Sequence, residues 1–201
     1  MLEYLKNKQF TGDLSLEDAD VLAQYASQSQ SILEFGSGGS TQLMAQSSAE
    51  SITSVETEAS WIQLTQERLS QIANARPVEF VGYTTEFNQE FDLIFVDGLW
   101  QHRFDFATNV WKYLKPTGVM IFHDTRRDFD FANAVDVAKV FFNEISQIDV
   151  NARATNGRSS NMTVLHKKAH EPYVNWNDVE GKPSWAYGIP DGSDHPLWSY
   201  K

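Results

Sequence analysis

The chain has 201 residues, enough for one domain with a sizeable core, and its apolar and aromatic content is that of a globular protein. It contains no cysteine, which excludes disulfides, thiolate metal sites and a cysteine nucleophile. The net charge of −11 without a clustered basic stripe disfavours a nucleic-acid partner, and the lack of a long apolar run predicts a cytoplasmic protein with no membrane span.

Short apolar runs alternate with apolar residues at helical spacing along most of the chain. This alternation predicts an α/β fold, a doubly wound and mostly parallel seven-stranded sheet with helices on both faces and an antiparallel C-terminal hairpin. The predicted helices span residues 14–27, 40–47, 58–74, 104–114 and 131–145. The predicted strands span residues 31–35, 51–56, 78–83, 91–96 and 119–122, followed by 149–155 and 158–166 on either side of Asn156-Gly157.

The first predicted strand ends in a glycine-rich turn, in which residues 31–41 read Ser-Ile-Leu-Glu-Phe-Gly-Ser-Gly-Gly-Ser-Thr. Gly36, Gly38 and Gly39 carry no Cβ and can adopt a positive φ. A ligand can therefore press against bare backbone at the carboxyl end of a strand, where open α/β sheets bind their ligands. The alternative is a glycine-rich turn that binds nothing.

An acid closes the second predicted strand: Glu56 lies 20 residues after Gly36. In a doubly wound sheet its carboxylate would lie beside the glycine turn and could accept two hydrogen bonds from a ribose diol. The alternative is a surface glutamate that caps the next helix with Thr57. Thr41 stands where the dinucleotide-binding fingerprint has its third glycine, which makes a nicotinamide cofactor the weaker hypothesis.

With these residues the chain resembles the class I S-adenosylmethionine-dependent methyltransferases, over about residues 14–167. Residues 34–38 match the family's acid-x-Gly-x-Gly motif, residues 91–98 (Phe-Asp-Leu-Ile-Phe-Val-Asp-Gly) match its fourth strand, and residues 114–118 (Leu-Lys-Pro-Thr-Gly) match the turn before strand five. The family usually has Gly-Gly where this chain has Thr-Gly. The predicted terminal hairpin matches the family's antiparallel seventh strand.

The resemblance implies a cofactor site for S-adenosylmethionine. Glu34 and the backbone of residues 36–39, including Ser37, would hold the methionine end, and Glu56 would hold the ribose. Tyr83 would lie near the adenine, although the family often has a small or acidic residue there. Thr57 and Asp97 complete the predicted cofactor contacts.

Candidate catalytic residues cluster after the fourth and fifth predicted strands: Asp97, His102, Arg103, His123 and Asp124. Transfer to a hydroxyl needs its proton removed, by a base or with a metal ion. His102 or His123 is the natural base, and Asp97 with Asp124 suits a divalent cation such as Mg²⁺. The layout resembles that of catechol-type and sugar-modifying O-methyltransferases, but the pair after strand five would be His123-Asp124 or Asp124-Thr125, and neither is the usual Asp-Asn or Glu-Asp.

The leading hypothesis is a methyltransferase that acts on a small-molecule acceptor at oxygen. Residues 97–100, Asp-Gly-Leu-Trp, lack the Asp-Pro-Pro-aromatic pattern of enzymes that methylate amino groups of nucleic-acid bases. The alternatives are an NAD(P)-dependent oxidoreductase and a non-catalytic binding protein with the same fold.

The predicted domain organisation has an N-terminal helical segment (1–30), a Rossmann-like methyltransferase domain (31–168) and an irregular extension (169–201). The extension holds four of the six prolines and three of the six tryptophans. Its aromatic residues could pack on the domain, cover the site or form a homo-oligomer.

Overall fold

The computed structural model describes residues 14–169 of the chain. Its helices are α1 (Leu16–Ala26), α2 (Gly39–Met44), α3 (Ala59–Leu69), α4 (Arg103–Val110) and α5 (Asp128–Val140). Its strands are β1 (Ser31–Phe35), β2 (Ser51–Val55), β3 (Glu79–Val81), β4 (Phe91–Val96), β5 (Leu114–His123), β6 (Ile145–Asp149) and β7 (Met162–Lys167). The predicted extension, 169–201, lies outside the described residues apart from Ala169.

The strands form one seven-stranded sheet in the order β3-β2-β1-β4-β5-β7-β6. Strands β1 to β5 are parallel, and β7 pairs antiparallel with both β5 and β6. The chain moves outward from β1 to β3 and then crosses back to β4 on the other side of β1. This reversal at β1 and β4 is the topological switch point where open α/β sheets bind ligands.

The central strands are buried because both faces of the sheet are covered by helices. Successive side chains point to opposite faces, so Ile32 and Phe95 belong to one core cluster while Leu33 and Ile94 belong to the other. Residues of α1 and α2 pack into the first cluster, and residues of α4 and α5 pack into the second. The carboxyl ends of β1 and β4 are therefore held rigidly side by side.

Helix α1 starts at a capping box. The Ser15 hydroxyl accepts the N–H of Asp18 at 3.0 Å, and the Asp18 carboxylate accepts the N–H of Ser15 at 3.2 Å. Asp18 is only 3% exposed, which is unusual for a capping carboxylate and reflects a second role described below.

Several predicted boundaries are wrong at the ends of elements. Helix α3 ends at Leu69 rather than at residue 74, because a turn follows in which Asn74 has a φ of 61°. Strand β5 begins at Leu114, so residues 115–118 belong to a bulged strand instead of a turn. Gly118 is required in this bulge, since a Cβ there would lie 2.9 Å from the Lys115 carbonyl oxygen.

The C-terminal antiparallel pair is confirmed, but its strands lie elsewhere than predicted. Strand β6 begins at Ile145, which was expected to lie in a helix, and ends at Asp149, where a strand was expected to begin. Asn156-Gly157 does form a turn, with Gly157 at φ 79°, but it lies within the long β6–β7 loop. Helix α5 correspondingly ends at Val140.

Candidate functional site

A cavity of about 780 Å³ opens at the carboxyl ends of β1, β2, β4 and β5. It lies at the topological switch point, where the glycine turn after β1 and the acidic turn after β4 face each other. Its lining residues are Leu14, Gly36, Ser37, Gly38, Gly39, Ser40, Glu56, Thr57, Glu58, Trp61, Arg68, Tyr83, Asp97, Gly98, Leu99, Trp100, Arg103, His123, Asp124 and Arg127.

Two glycines let the β1 and β4 turns touch. Gly36 has a φ of 86° and Gly98 a φ of 71°, conformations that favour glycine. A Cβ on Gly36 would lie 2.7 Å from the Gly98 Cα, so a side chain there would push the turns apart. At Gly38 the corresponding position has no heavy atom within 4 Å, which leaves bare backbone open to a ligand.

Glu34 lies behind the glycine turn and does not line the cavity. It is fully buried, and its carboxylate accepts hydrogen bonds from the hydroxyls of Ser40, of Thr41 at 2.6 Å and of Ser54 at 2.9 Å. Burial raises the pKa of Glu34 to about 7, against the opposing effect of these hydroxyls. The expectation that Glu34 contacts a cofactor directly is therefore corrected: this side chain shapes the turn from below.

Thr41 is part of the same turn. Its hydroxyl accepts the N–H of Gly38 at 2.8 Å while it donates to Glu34. Where a dinucleotide-binding turn has a glycine, this chain uses a fully buried hydroxyl that ties the turn to the start of α2.

Glu56 lies beside the glycine turn, as its spacing predicts. One carboxylate oxygen, Oε2, accepts the N–H of Ser37 at 3.1 Å, and the Ser37 hydroxyl lies 3.4 Å away. The other, Oε1, accepts the N–H groups of Thr57 at 2.8 Å and Glu58 at 2.9 Å. The capping alternative is thus also observed, and Oε2 is the oxygen with room for another donor.

Tyr83 forms one wall of the cavity and is held by a stack of aromatic rings. Its ring lies parallel to that of Phe106 at 4.8 Å between centroids, and Phe106 stacks in the same way on Phe35. Burial and the nearby Glu56 carboxylate raise the pKa of the Tyr83 hydroxyl, so this residue offers a neutral, flat surface.

The opposite wall is a charged cluster, by which we mean Asp18, Asp97, Arg103, His123, Asp124, Arg127 and Asp130. Asp97 and Asp124 follow β4 and β5, and the parallel pairing of these strands brings them together as predicted. Arg103 enters from the start of α4, and Arg127 and Asp130 come from the start of α5.

His123 lies inside the charged cluster and is 5% exposed. Its Nδ1 lies 3.1 Å from Asp97 Oδ2 and its Nε2 lies 3.7 Å from Asp18 Oδ2. Burial alone would lower the pKa of His123, but the hydrogen bonds and charges of these carboxylates outweigh burial and raise the pKa to about 10. With this pKa His123 is an imidazolium at neutral pH, a state that does not favour its predicted role as the base.

The acids beside His123 are correspondingly ionised. Burial acts to raise the pKa of Asp97, but hydrogen bonding to His123 and the charges of His123 and Arg103 lower it below its usual range. For Asp18, burial also acts to raise the pKa, but hydrogen bonds to His123, Ser15 and Asn161 outweigh burial and lower the pKa to about 2.

His102 lies apart from the charged cluster. It ends a short 3-10 turn (Trp100–His102), is exposed to solvent and does not line the cavity. Its ring lies 5.8 Å from that of Phe106. This position does not support the predicted role of His102 as the base, which stays a prediction.

Three residues offer ligand atoms at a spacing that could hold a metal ion. Atoms of Asp97, His123 and Asp124 lie within 4.8 Å of one another. The donor set fits a hard cation poorly, because His123 is protonated and the carboxylate oxygens already bind cationic or amide groups of the chain.

Asp18 and Asp130 are members of the cluster that sequence reasoning missed. Asp18 lies in the first turn of α1 and Asp130 in the first turn of α5, where acids are common. Both are acids in amphipathic helices, so the sequence carries no signal that they are buried. Gly98 is a third omission, since its contact with Gly36 requires the neighbouring strand.

Comparison with known proteins agrees with this geometry. The family model described as a methyltransferase domain matches residues 33–125, the span from β1 to the residue after Asp124. Residues 33–125 are thus similar in sequence to a methyltransferase domain, and they lie within a Rossmann-like sheet. A search of curated proteins finds no significant match to the chain.

Solved methyltransferase structures share the fold of this domain. The O-methyltransferase TomG from Streptomyces achromogenes, solved in complex with SAM, is 16% identical with a TM-score of 0.61, over 84% of this chain and 91% of that one. An O-methyltransferase from Bacillus cereus in complex with SAH is 18% identical with a TM-score of 0.58, over 82% and 88%. The N-methyltransferase NodS from Bradyrhizobium japonicum is 15% identical with a TM-score of 0.54, over 83% and 98%.

These similarities establish the fold of the methyltransferase domain and do not favour an oxidoreductase or a non-catalytic protein. Because the relatives methylate both oxygen and nitrogen, the acceptor has to be argued from the site. Among the helices within residues 14–169, none has the length and apolar character needed to cross a membrane.

Proposed function

We propose that this protein transfers a methyl group from S-adenosylmethionine to an oxygen atom of a small molecule. The observation that carries the proposal is the position of Glu56 beside the glycine turn, on a cavity whose other wall holds Asp97 and Asp124. A group that binds ribose and a group that can accept a hydroxyl proton thus face the same space.

The cofactor would lie along the near wall of the cavity. Its adenine would rest beside Tyr83, and its ribose hydroxyls would donate to Glu56 Oε2 by replacing the long contact from Ser37. The methionine end would lie on the backbone of Gly36–Gly39. Gly38 supports this placement, because the space a side chain would fill there is open.

When bound, S-adenosylmethionine supplies a methyl group on a sulfonium, which an acceptor oxygen attacks in line while sulfur keeps the electron pair. The domain would contribute chiefly by holding acceptor and methyl group in line. Asp97 would accept a hydrogen bond from the acceptor hydroxyl. Asp124 would stabilise the positive charge of the adjacent sulfonium. His123 and Arg103 hold Asp97 in place rather than removing a proton.

An oxygen acceptor is favoured over nitrogen by the Asp97 carboxylate at the reacting end, whose pKa is lowered. A hydroxyl must lose its proton during transfer, and Asp97 is exposed enough, at 28% of its side chain, to reach it. A small acceptor is favoured because the cavity has a volume of about 780 Å³, which the acceptor would share with the cofactor. The acidic chain makes a nucleic-acid acceptor unfavourable.

Calorimetric titration with S-adenosylhomocysteine tests the cofactor site. Glu56→Ala should weaken binding by about 1–3 kcal/mol, the scale for hydrogen bonds to a charged group. Glu50→Ala is the matched control, since Glu50 is an exposed acid just before the other end of β2. Absence of binding to the wild type, or binding of NADH in its place, would overturn the proposal.

The composition and the C-terminal extension bear on the cellular location and on the oligomeric state. We propose a cytoplasmic location from composition, and a homo-oligomer formed through the aromatic extension at residues 169–201. Light scattering on the full chain tests the second, and a monomer at all concentrations would contradict it.

A further inference from the structure

The side chain of Arg103 lies at the centre of the charged cluster and is 2% exposed. Its Nη2 lies 2.5 Å from Asp97 Oδ1, and its Nη1 lies 2.9 Å from Asp130 Oδ1. The same Nη1 donates to the backbone oxygen of His123 at 2.8 Å. One buried guanidinium thus joins the ends of β4 and β5 to α5.

The carboxylate oxygens that a divalent cation would need are bound by groups of the chain itself. Asp97 Oδ1 binds Arg103, and Asp97 Oδ2 faces His123 Nδ1 at 3.1 Å. Asp124 Oδ1 accepts a hydrogen bond from the Asn161 amide at 3.1 Å, and its Oδ2 binds Arg127. Both acids would have to exchange these partners before they could bind a metal ion.

A metal ion between Asp97 and Asp124 would also meet the charge of Arg103. Arg103 Nη2 lies 3.8 Å from Asp124 Oδ2, so the guanidinium sits between the two acids. Arginine cannot lose its proton in a protein, and displacing it would leave a buried charge without its partner. A metal ion and the Arg103 guanidinium therefore compete for the same position between the carboxylates of Asp97 and Asp124.

We propose that the guanidinium of Arg103 occupies the place of a divalent cation between Asp97 and Asp124, so that methyl transfer by this protein needs no metal ion. The inference rests on the proposed methyl transfer. Arg103 acts as a positioning residue, since it works by orienting Asp97 toward the acceptor. In the transfer the methyl C–O bond forms, the C–S bond breaks with its electrons staying on sulfur, and the hydroxyl proton passes through Asp97 to water.

Electron paramagnetic resonance of Mn²⁺ tests this inference without an identified acceptor. Free Mn²⁺ is measured at equal concentrations of protein and metal, with S-adenosylhomocysteine present. The wild type should leave Mn²⁺ free. Arg103→Ala should bind it at least about 100-fold more tightly, because a unit positive charge has been removed from within about 4 Å. Adding Asp97→Asn to Arg103→Ala should abolish the binding, which locates the ion.

Arg153→Ala is the matched control, since Arg153 is exposed and contacts the carbonyl of Gly157 outside the site. It should behave as the wild type. Calorimetry with S-adenosylhomocysteine on every variant shows that the domain is folded, and Arg103→Lys, which keeps the charge, should again exclude Mn²⁺.

The inference would be overturned if the wild type bound Mn²⁺ and Asp97→Asn removed that binding. It would also be overturned if Arg103→Lys bound Mn²⁺ as tightly as Arg103→Ala, or if a folded Arg103→Ala bound Mn²⁺ no more tightly than the wild type. Failure of the proposed function itself gives a different result, because the wild type would then not bind S-adenosylhomocysteine.

Discussion

The two walls of the cavity are built in different ways. Apart from the Tyr83 ring, the binding wall is built from residues 36–57, which run from the turn after β1 to the turn after β2. It consists of backbone N–H groups and the side chains of Ser37 and Glu56, with Glu34 and Thr41 buried behind it. The charged cluster is assembled from side chains of α1, α4 and α5 at the ends of β4 and β5. The binding wall is therefore local in sequence, whereas the reacting wall exists only when distant elements meet.

This difference has an energetic consequence. When one partner of a hydrogen bond between hydroxyl or backbone groups is removed, the free energy of unfolding falls modestly, typically by about 1–3 kcal/mol for a buried group. When one partner of a buried ion pair is removed, the free energy of unfolding falls by more, because the remaining charge is left without compensation. Substitutions in the charged cluster should therefore have larger effects than those in the binding wall.

The largest effect is expected from Asp130→Ala. The Asp130 side chain is fully buried and forms ion pairs with both Arg103 and Arg127, so its removal takes one carboxylate partner from each arginine, and Arg103 is itself buried. The free energy of unfolding should fall by about 3–5 kcal/mol, measured by urea denaturation. Asp128→Ala, an exposed acid in the same turn of α5, is the control and should change it by less than about 0.5 kcal/mol. Equal effects of the two substitutions would contradict the buried ion pair.

The next largest effect is expected from Asp97→Asn on turnover. Loss of the carboxylate removes the proposed acceptor of the hydroxyl proton, and kcat should fall by about 100-fold, the scale for one preorganised electrostatic group. The free energy of unfolding should change less than the barrier to turnover. Asp136→Asn, an exposed acid paired with Lys139, is the comparison. Normal kcat in Asp97→Asn would remove this residue from the mechanism.

A smaller effect is expected in the binding wall from Thr41→Val. Valine keeps the shape of the side chain but leaves the Gly38 N–H without its partner, which should weaken binding of S-adenosylhomocysteine by about 1–2 kcal/mol in calorimetry. Thr108→Val is the control, because the Thr108 hydroxyl bonds only to carbonyls of its own helix. Unchanged affinity in Thr41→Val would mean that the turn is held without this hydroxyl.

The last expected effect is a dependence of stability on pH. The pKa of His123 rises from 6.5 to about 10 on folding, so its stabilising contribution is complete below pH 6.5 and is lost as pH rises toward 10. The free energy of unfolding should therefore decrease between pH 7 and pH 9 in the wild type. His123→Asn should flatten this dependence, whereas the exposed His102→Asn should keep it. A wild-type profile without slope would show that His123 is not held as an imidazolium.

Local patterns predicted the central elements well. The bounds of β1 and β4 are as predicted, because each is an apolar run that ends at a glycine or an acid. The errors fall where tertiary contacts override local signals. Residues 115–118 look like a turn, yet pairing of Leu114 with Phe91 draws them into a bulged strand. Asn156-Gly157 forms a turn, but β7 is placed by its pairing with β5.

The sequence by itself determined the α/β fold, the glycine turn and the position of Glu56, because these depend on periodicity, φ preferences and spacing along one short stretch. Only the tertiary structure decided the state of the reacting residues. The placement of His123 between Asp18 and Asp97, beside the buried Arg103, favours a cationic imidazolium where the sequence alone suggested a base. The physical reason is that charge states depend on desolvation and on neighbours from other elements, and the sequence does not say which side chains will become neighbours.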